Sequence, residues 1–311
     1  MPVAPLEAAL YVVATPIGNL SDISQRACDV LSHVSLIACE DTRVAQRLLR
    51  GLGLPVPALL ATHAHNERSS TGRVLAAIAE GQACALISDA GTPAISDPGA
   101  RLVHAAHEAG LRVVPIPGVS AVTTLLSVAG IDTDHHGDAA RGYWFEGFLP
   151  SRASDRKSRL RELLALPGAI VLYESPHRIG ATLADIGQMC VPPRDLIIGR
   201  ELTKRFEQLV RLRTDKASDW LAGSADHGRG EFALVIAPAP IAPRMGHGES
   251  VDWQARPDMQ GSVDDLILRL ADLLPPRQAA KLAATLCGLP SRAIYERLLA
   301  TRGSSANDVE G

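Results

Sequence analysis

The feature that most constrains this chain is a repeated unit: a short apolar run, a turn marked by Gly, Pro or Asp, and then a stretch with helical periodicity. The apolar runs are 9–14, 36–39, 58–61, 83–87 and 112–116. They lack the polar alternation of a half-exposed strand, so both of their faces must be covered. The segments between them are long enough to cross over and cover those faces, which parallel strands require. The pattern predicts a parallel sheet flanked by helices over residues 9–126, with its turns at the carboxyl ends of strands. Ligands bind at that edge in open sheets of this kind.

One turn stands out. Ser88-Asp89-Ala90-Gly91-Thr92-Pro93-Ala94-Ile95-Ser96-Asp97-Pro98-Gly99 holds two Asp, two Pro and two Gly in twelve residues. That content excludes strand and helix interior and predicts an ordered loop ahead of a helix from Ala100 to near Gly110. Similar turns follow the other runs. Thr15 to Asp22 leads into a helix with Ser21 or Asp22 as N-cap, and Glu40-Asp41-Thr42-Arg43 opens the next one. Pro117-Gly118-Val119-Ser120-Ala121 ends the fifth run, and its small residues let a ligand approach the backbone. Only Gly18 stands where a dinucleotide fingerprint needs three glycines, and no Walker lysine follows, which argues against nicotinamide and nucleoside triphosphate chemistry. His63 and His65 precede a helix from Arg68 without a third ligand at metal spacing, so they read as polar loop residues and no metal is expected.

The remainder divides in two. Residues Gly130 to Gly142, rich in Asp and His, read as a linker to a second α/β unit over 143–238. That unit begins at 143–150, with a basic amphipathic helix from Ser154 to Leu166 and strands at 169–173, 196–199, 206–212 and 231–237. Its mixture of hairpin and crossover connections predicts a mixed sheet. After a Pro/Gly-rich stretch from Pro238 to Gly261, a helical extension over 262–302 is predicted, with helices at 263–274, 276–284 and 294–299 in a helix-turn-helix outline. Arg277, Lys281, Arg292 and Arg297 offer it a small basic face for phosphates; packing on its own protein or on a second subunit is the alternative.

Composition narrows the function classes. The net charge is −3, so no global basic field holds nucleic acid and any RNA contact must come from local patches. Five cysteines lie scattered without a C-x-x-C pair, mostly within apolar runs, and are expected as buried free thiols. The amino terminus shows no basic stretch ahead of an apolar one, and no apolar run reaches the ~20 residues of a membrane span. A cytoplasmic protein with no membrane contact is expected.

Taken in order, the turns resemble one family. Thr15-Pro16-Ile17-Gly18-Asn19-Leu20, Glu40-Asp41-Thr42-Arg43, His65-Asn66-Glu67, Ser88 to Pro93, Pro117-Gly118, Glu146 to Pro150, Tyr173-Glu174-Ser175-Pro176-His177-Arg178 and Arg200-Glu201-Leu202-Thr203-Lys204 are similar to motifs of the bacterial 16S ribosomal RNA ribose 2'-O-methyltransferases. Those enzymes act on a decoding-centre cytidine and have the tetrapyrrole methylase fold. The similarity spans about residues 9–237, and the carboxyl-terminal helices resemble an extension found in many members. The resemblance implies two α/β domains, pairing as a homodimer, and S-adenosylmethionine bound between the domains, with 16S rRNA in the small ribosomal subunit as partner. Carried onto matching positions, it implies cofactor contacts at Pro16 and Gly18, at Asp89, Ala90, Gly91 and Ile95, at Ser120 and Ala121, and at Tyr173 and Ser175. The chain departs from the pattern at His63-Ala64-His65, at Val119 after Pro117-Gly118, and in an insertion around His135 to Gly142.

A ribose hydroxyl is a weak nucleophile at neutral pH, so a base or charge stabiliser near it would help. Glu67, Glu174, Glu201 and Lys204 sit on the motif turns, and Glu174 and Lys204 rank first as catalytic candidates. Ion pairs with Arg68, Arg178 or Arg200, or a helix cap, are their alternative role. Arg43, Arg178, Arg200 and Lys204 form a candidate basic rim for the RNA backbone. Two rival readings share the fold class: methylation of a corrin or porphyrin precursor, and a non-catalytic RNA-binding protein.

Overall fold

The computed structural model describes residues 6–62, 66–239, 270, 274–287, 291–292, 294–296 and 298. The chain forms two compact units, Met1–Ile241 and Ala242–Gly311.

The first unit contains two α/β lobes. The amino-terminal lobe runs β1 (Ala9–Val13), α1 (Gln25–His33), β2 (Leu36–Cys39), α2 (Thr42–Gly51), β3 (Ala58–Ala61), α3 (Glu67–Ala79), β4 (Ala83–Ile87), α4 (Ala100–Glu108), β5 (Val113–Ile116) and α5 (Ala121–Val128). Its sheet has the order β3-β2-β4-β1-β5 with every pairing parallel. Successive side chains point to opposite faces, so an apolar strand feeds two cores at once. Tyr11, Val13 and Ile37 join Leu31 and Leu49 on one face, while Leu10, Ala38 and Leu86 join Ile78 and Leu102 on the other.

The second lobe runs α6 (Thr133–His136), β6 (Tyr143–Phe148), α7 (Ala153–Leu164), β7 (Ala169–Glu174), α8 (Ile179–Met189), β8 (Asp195–Arg200), β9 (Gln208–Arg213), α9 (Ala217–Ala222) and β10 (Phe232–Ile236). Its sheet, ordered β6-β7-β10-β8-β9, is mixed: β6 and β7 are parallel and the remaining pairs antiparallel. Leu160, Leu163, Leu183 and Ile186 from α7 and α8 cover one face. Val122 and Leu125 from α5 and Ala129 at its C-cap pack with Val171, Ile197, Ala233 and Val235 on the other. Helix α5 thus follows the first lobe's last strand yet packs on the second lobe's sheet, and its first turn stands where the lobes meet.

Two local expectations need correction. Residues 130–142 are not a plain linker, because Asp132 accepts a hydrogen bond from the His135 amide at 2.9 Å and caps α6, with a 3-10 turn over Gly137–Arg141 behind it. His136 is buried there. An Asp/His-rich stretch looks like loop until its capping role is seen. The N-cap of α1 is Ser24, which accepts from the Ala27 amide, whereas Ser21 and Asp22 fall in a separate 3-10 turn capped by Asn19. The four described cysteines, Cys28, Cys39, Cys84 and Cys190, are free thiols.

In the second unit, Pro276–Cys287 forms a helix whose Ala279, Ala280, Ala283 and Ala284 are buried with Ile294 and Leu298. The expected helix at 263–274 and the turn at 288–291 lie almost wholly outside the described residues.

Candidate active site

Three strand-tip loops of the first lobe are tied to one another. Thr15 and Gly91 exchange backbone hydrogen bonds at 2.8 and 3.0 Å, fastening the loop after β1 to the loop after β4. The Thr15 hydroxyl donates to the Ser88 carbonyl at 3.2 Å, and the Thr92 hydroxyl donates to the Val119 carbonyl at 3.0 Å, bringing in the loop after β5. Gly91 takes φ +80°, a conformation glycine adopts without strain. Ala94 and Ser96 hold φ of 65° and 67° without that freedom, which costs on the order of 1–3 kcal/mol each and marks a loop held by its surroundings. Ser96 seats against Gly147 of β6, where a Cβ would lie 2.5 Å from its hydroxyl oxygen. A register shift between Phe145 and Gly147 opens that place in the strand.

Between these loops and the second sheet lies a cavity of about 330 Å³. Ala90, Gly91, Ile95, Asp97, Ser120 and Ala121 line it from the first lobe and α5. Phe148, Tyr173, Glu174, Ser175, Lys204 and Phe232 line it from the second. Its size falls within the ~300–1,000 Å³ of small-molecule sites. Tyr173 packs edge-on against Phe145 and Phe148, with ring centroids 5.0 and 5.9 Å away. Burial raises its pKa, while the Ser120 hydroxyl and Val122 amide pull the other way.

The first-lobe rim is acidic. Burial raises the pKa of Asp97, and Asp89 adds to the rise against a hydrogen bond from Ser88. Burial also raises the Asp89 and Glu40 carboxyls, with neighbouring carboxylates contributing. Asp41 is held down at about 2, chiefly by its side-chain hydrogen bonds with Arg43. Asp97 forms no ion pair among the described residues, and it lines a cavity whose walls include Phe148, Tyr173 and Phe232. That donor set suits a ligand with a cationic centre and a flat apolar part, as S-adenosylmethionine has.

Of the expected cofactor residues, Ala90, Gly91, Ile95, Ser120, Ala121, Tyr173 and Ser175 come together in this cavity, while Pro16, Gly18 and Asp89 are not among its lining residues. Gly18 makes room for Lys204, whose Cγ lies 2.3 Å from where a Cβ would be. Asp89 accepts from the Asp41 amide at 3.2 Å. Both catalytic candidates line the cavity, and both are engaged. Glu174 accepts from the Ser175 amide at 2.9 Å and the Thr182 hydroxyl at 2.6 Å. The Lys204 ammonium donates to Glu201 at 2.8 Å and Glu231 at 2.7 Å. Burial works to lower the Lys204 pKa, but the two carboxylates outweigh it and the net direction is upward. Gly230 lets Glu201 approach, since a Cβ there would fall 2.5 Å from the Glu201 Cγ.

The expected basic rim is more structural than anticipated. Arg178 donates to the Leu149 carbonyl and lies 3.4 Å from the Glu174 carboxylate. Arg200 donates to the Arg229 carbonyl at 2.6 Å and the Phe206 carbonyl at 3.2 Å, bracing the loop that carries Lys204. Arg43 pairs with Asp41 and Arg292 with Glu296. Arg277 and Lys281 are exposed on the helix of the second unit. His63 and His65, the side chain of Glu67 and Arg297 lie outside the described residues. Sequence reasoning passed over Asp97 and Phe148; both stand inside quoted motif turns, and a second Asp in a strand-tip loop was the available signal for the first. Among the described residues no group of three or more His, Cys, Asp and Glu is placed to hold a metal ion, and no helix is long and apolar enough to cross a membrane.

Residues 9–217 match the family described as Tetrapyrrole (Corrin/Porphyrin) Methylases, and residues 258–302 match the RsmI C-terminal HTH domain. The chain is 41% identical over 300 residues to the ribosomal RNA small subunit methyltransferase I of Pseudomonas aeruginosa, covering 95% of this chain and 98% of that protein. Its counterpart of the same name in Mesorhizobium japonicum is 40% identical over 311 residues, covering 100% and 98%. Among solved structures, a diphthine synthase superposes with a TM-score of 0.56 at 12% identity, over 74% of this chain and 89% of that one. A cobalt precorrin-4 methyltransferase does so with a TM-score of 0.53 at 15% identity, over 73% and 94%; at such identities these two speak for the fold alone.

Proposed function

The chain belongs to the tetrapyrrole methylases and, within them, to the ribosomal RNA small subunit methyltransferase I family, and from that premise we propose that it methylates a ribose 2'-hydroxyl of 16S ribosomal RNA. It is an S-adenosylmethionine-dependent methyltransferase. The target is cytidine 1402 of the decoding centre, presented on the small ribosomal subunit, which places the reaction in the cytoplasm. The observation that carries this reading is the cavity shared by the two lobes, where seven of the family-implied residues converge.

S-adenosylmethionine supplies an electrophilic methyl on a sulfonium sulfur, so the protein's part is to position a hydroxyl and let one proton leave. Ala90 and Gly91, held by their bonds to Ser88 and Thr15, form a fixed wall beside the cofactor, Ser120 and Ala121 shape the floor at the start of α5, and Asp97 offers negative charge to its cationic groups. Lys204 serves as a hydrogen-bond donor to the substrate rather than as a base, because its raised pKa keeps it protonated at neutral pH. Two of its three N–H donors are taken by Glu201 and Glu231, leaving one for a ribose or phosphate oxygen. Glu174, with both oxygens accepting bonds inside the second lobe, is a positioning residue that fixes the Tyr173–Ser175 turn. We also place the working enzyme in a homodimer: β6 ends the second sheet and leaves Tyr143 and Trp144 exposed along its edge.

Incubation with labelled S-adenosylmethionine separates this reading from its rivals. Label on the ribose of small-subunit 16S RNA is expected. Label on a precorrin instead, or on nothing, overturns it.

A further inference from the structure

Helix α2 carries a basic stripe that the cofactor cavity does not use. Its Ala45 and Leu49 are buried in the first lobe, while Arg43, Arg47 and Arg50 are exposed. The spacing i, i+4, i+7 puts the three arginines on one side of the helix, over about 10 Å of axis. Together with Gln46 and Gly51 they line an open recess of about 550 Å³. Arg43 is paired with Asp41, but among the described residues Arg47 and Arg50 have no acidic partner. Like charges at these spacings repel one another and weaken a helix, so the stripe is not there to stabilise α2. In a chain with a net charge of −3, it is also a local excess of the sign opposite to the whole.

The stripe is continuous with the site. At its amino-terminal end, the Asp41 that binds Arg43 donates its own amide to Asp89 of the central loop at 3.2 Å. At its carboxyl-terminal end, Gly51 lies beside Leu20 of the loop after β1, whose Cδ1 is 3.1 Å from where a Cβ would be. Both ends of α2 therefore abut loops that frame the cofactor cavity.

We propose that the Arg43-Arg47-Arg50 face of α2 binds the phosphate backbone of the RNA strand that delivers the target ribose. This rests on the reading of the substrate as RNA. Guanidinium groups suit the task because their planar forks pair bidentately with phosphate oxygens and keep their charge at every relevant pH. None of the three lines the cavity, so the contact contributes to substrate hold and register and not to chemistry.

The test uses the full chain, a 16S RNA fragment spanning the decoding centre, and small subunits, with binding measured across a salt series. Arg47→Ala/Arg50→Ala is expected to weaken RNA binding about tenfold at moderate salt. It should also reduce the slope of log K against log[salt] by about 1.4, two contacts at ~0.7 each for single strands. Arg47→Lys/Arg50→Lys is expected to keep most of the slope, and both variants to bind S-adenosylmethionine as the parent does. A double-alanine variant with the parental slope overturns the assignment while leaving the substrate reading intact. A parent chain that neither binds nor methylates the RNA overturns both.

Discussion

At the scale of single residues, the site depends on two close fits. A methyl at Gly18 would meet the Lys204 stem 2.3 Å away, so Gly18→Ala should push the ammonium off Glu201 and Glu231. The expected result is a fall in kcat of about tenfold, with S-adenosylmethionine affinity unchanged in calorimetry. Asp97 works in the opposite sense for stability and binding. Its folded-state pKa is raised, so its contribution to stability is fully present below the unfolded value near ~3.9 and is lost as pH rises through the folded value. Asp97→Asn should therefore melt higher than the parent at pH 7, with the difference closing toward pH 4. Its cofactor affinity should drop about tenfold, or about 1.4 kcal/mol, as a cationic ligand loses its carboxylate. Thermal scans across pH and calorimetry check the two halves separately. At this scale the sequence was partly legible. That Gly91, Ser120 and Tyr173 would gather at one edge could be read because glycine-marked and proline-marked turns betray strand tips, and because the motifs around them resemble a family. The engagement of Glu174 by Thr182 could not, since it joins a strand end to a helix face eight positions on and no local pattern records it.

At the scale of elements, the strands of the described residues other than β6 were legible, because a strand buried on both faces leaves an apolar run, while β6, with Tyr143 and Trp144 exposed, does not. Strand β9 shows the alternative, with every second residue exposed. Its start fell two positions later than expected because Phe206 belongs to the loop braced by Arg200. Helix α6 was missed since four residues with a side-chain cap carry no periodicity. The partner of α5 was also hidden, as an apolar helix does not announce which sheet it covers. Leu125 is completely buried at that junction, and Gly199 of β8 makes room for it, with Leu125 Cδ1 only 2.9 Å from a would-be Cβ. Leu125→Ala should cost ~2–5 kcal/mol by leaving a void between the lobes. Urea denaturation should show the midpoint fall at an unchanged m-value.

At the scale of the whole molecule, the two sheets do different jobs. The parallel sheet aims its loops at one edge because every strand enters the sheet in the same direction, and hydrogen bonds from Thr15 and Thr92 weld three of those loops into a single wall. The mixed sheet supplies the opposite wall, with Tyr173 near the end of β7 and Lys204 in the loop after β8, and α5 packs between the walls. The alternation of runs and helices made both sheets readable; the spacing between them is set by packing across the lobes, which no single stretch of sequence contains. The central claim is that this gap is where S-adenosylmethionine binds. Titration calorimetry of S-adenosylmethionine into the parent and into Ala121→Trp, which fills the gap from the first turn of α5, tests it most directly. Saturable binding is expected for the parent and none for the variant, with circular dichroism showing the variant folded; undiminished binding by a folded Ala121→Trp chain would place the cofactor elsewhere.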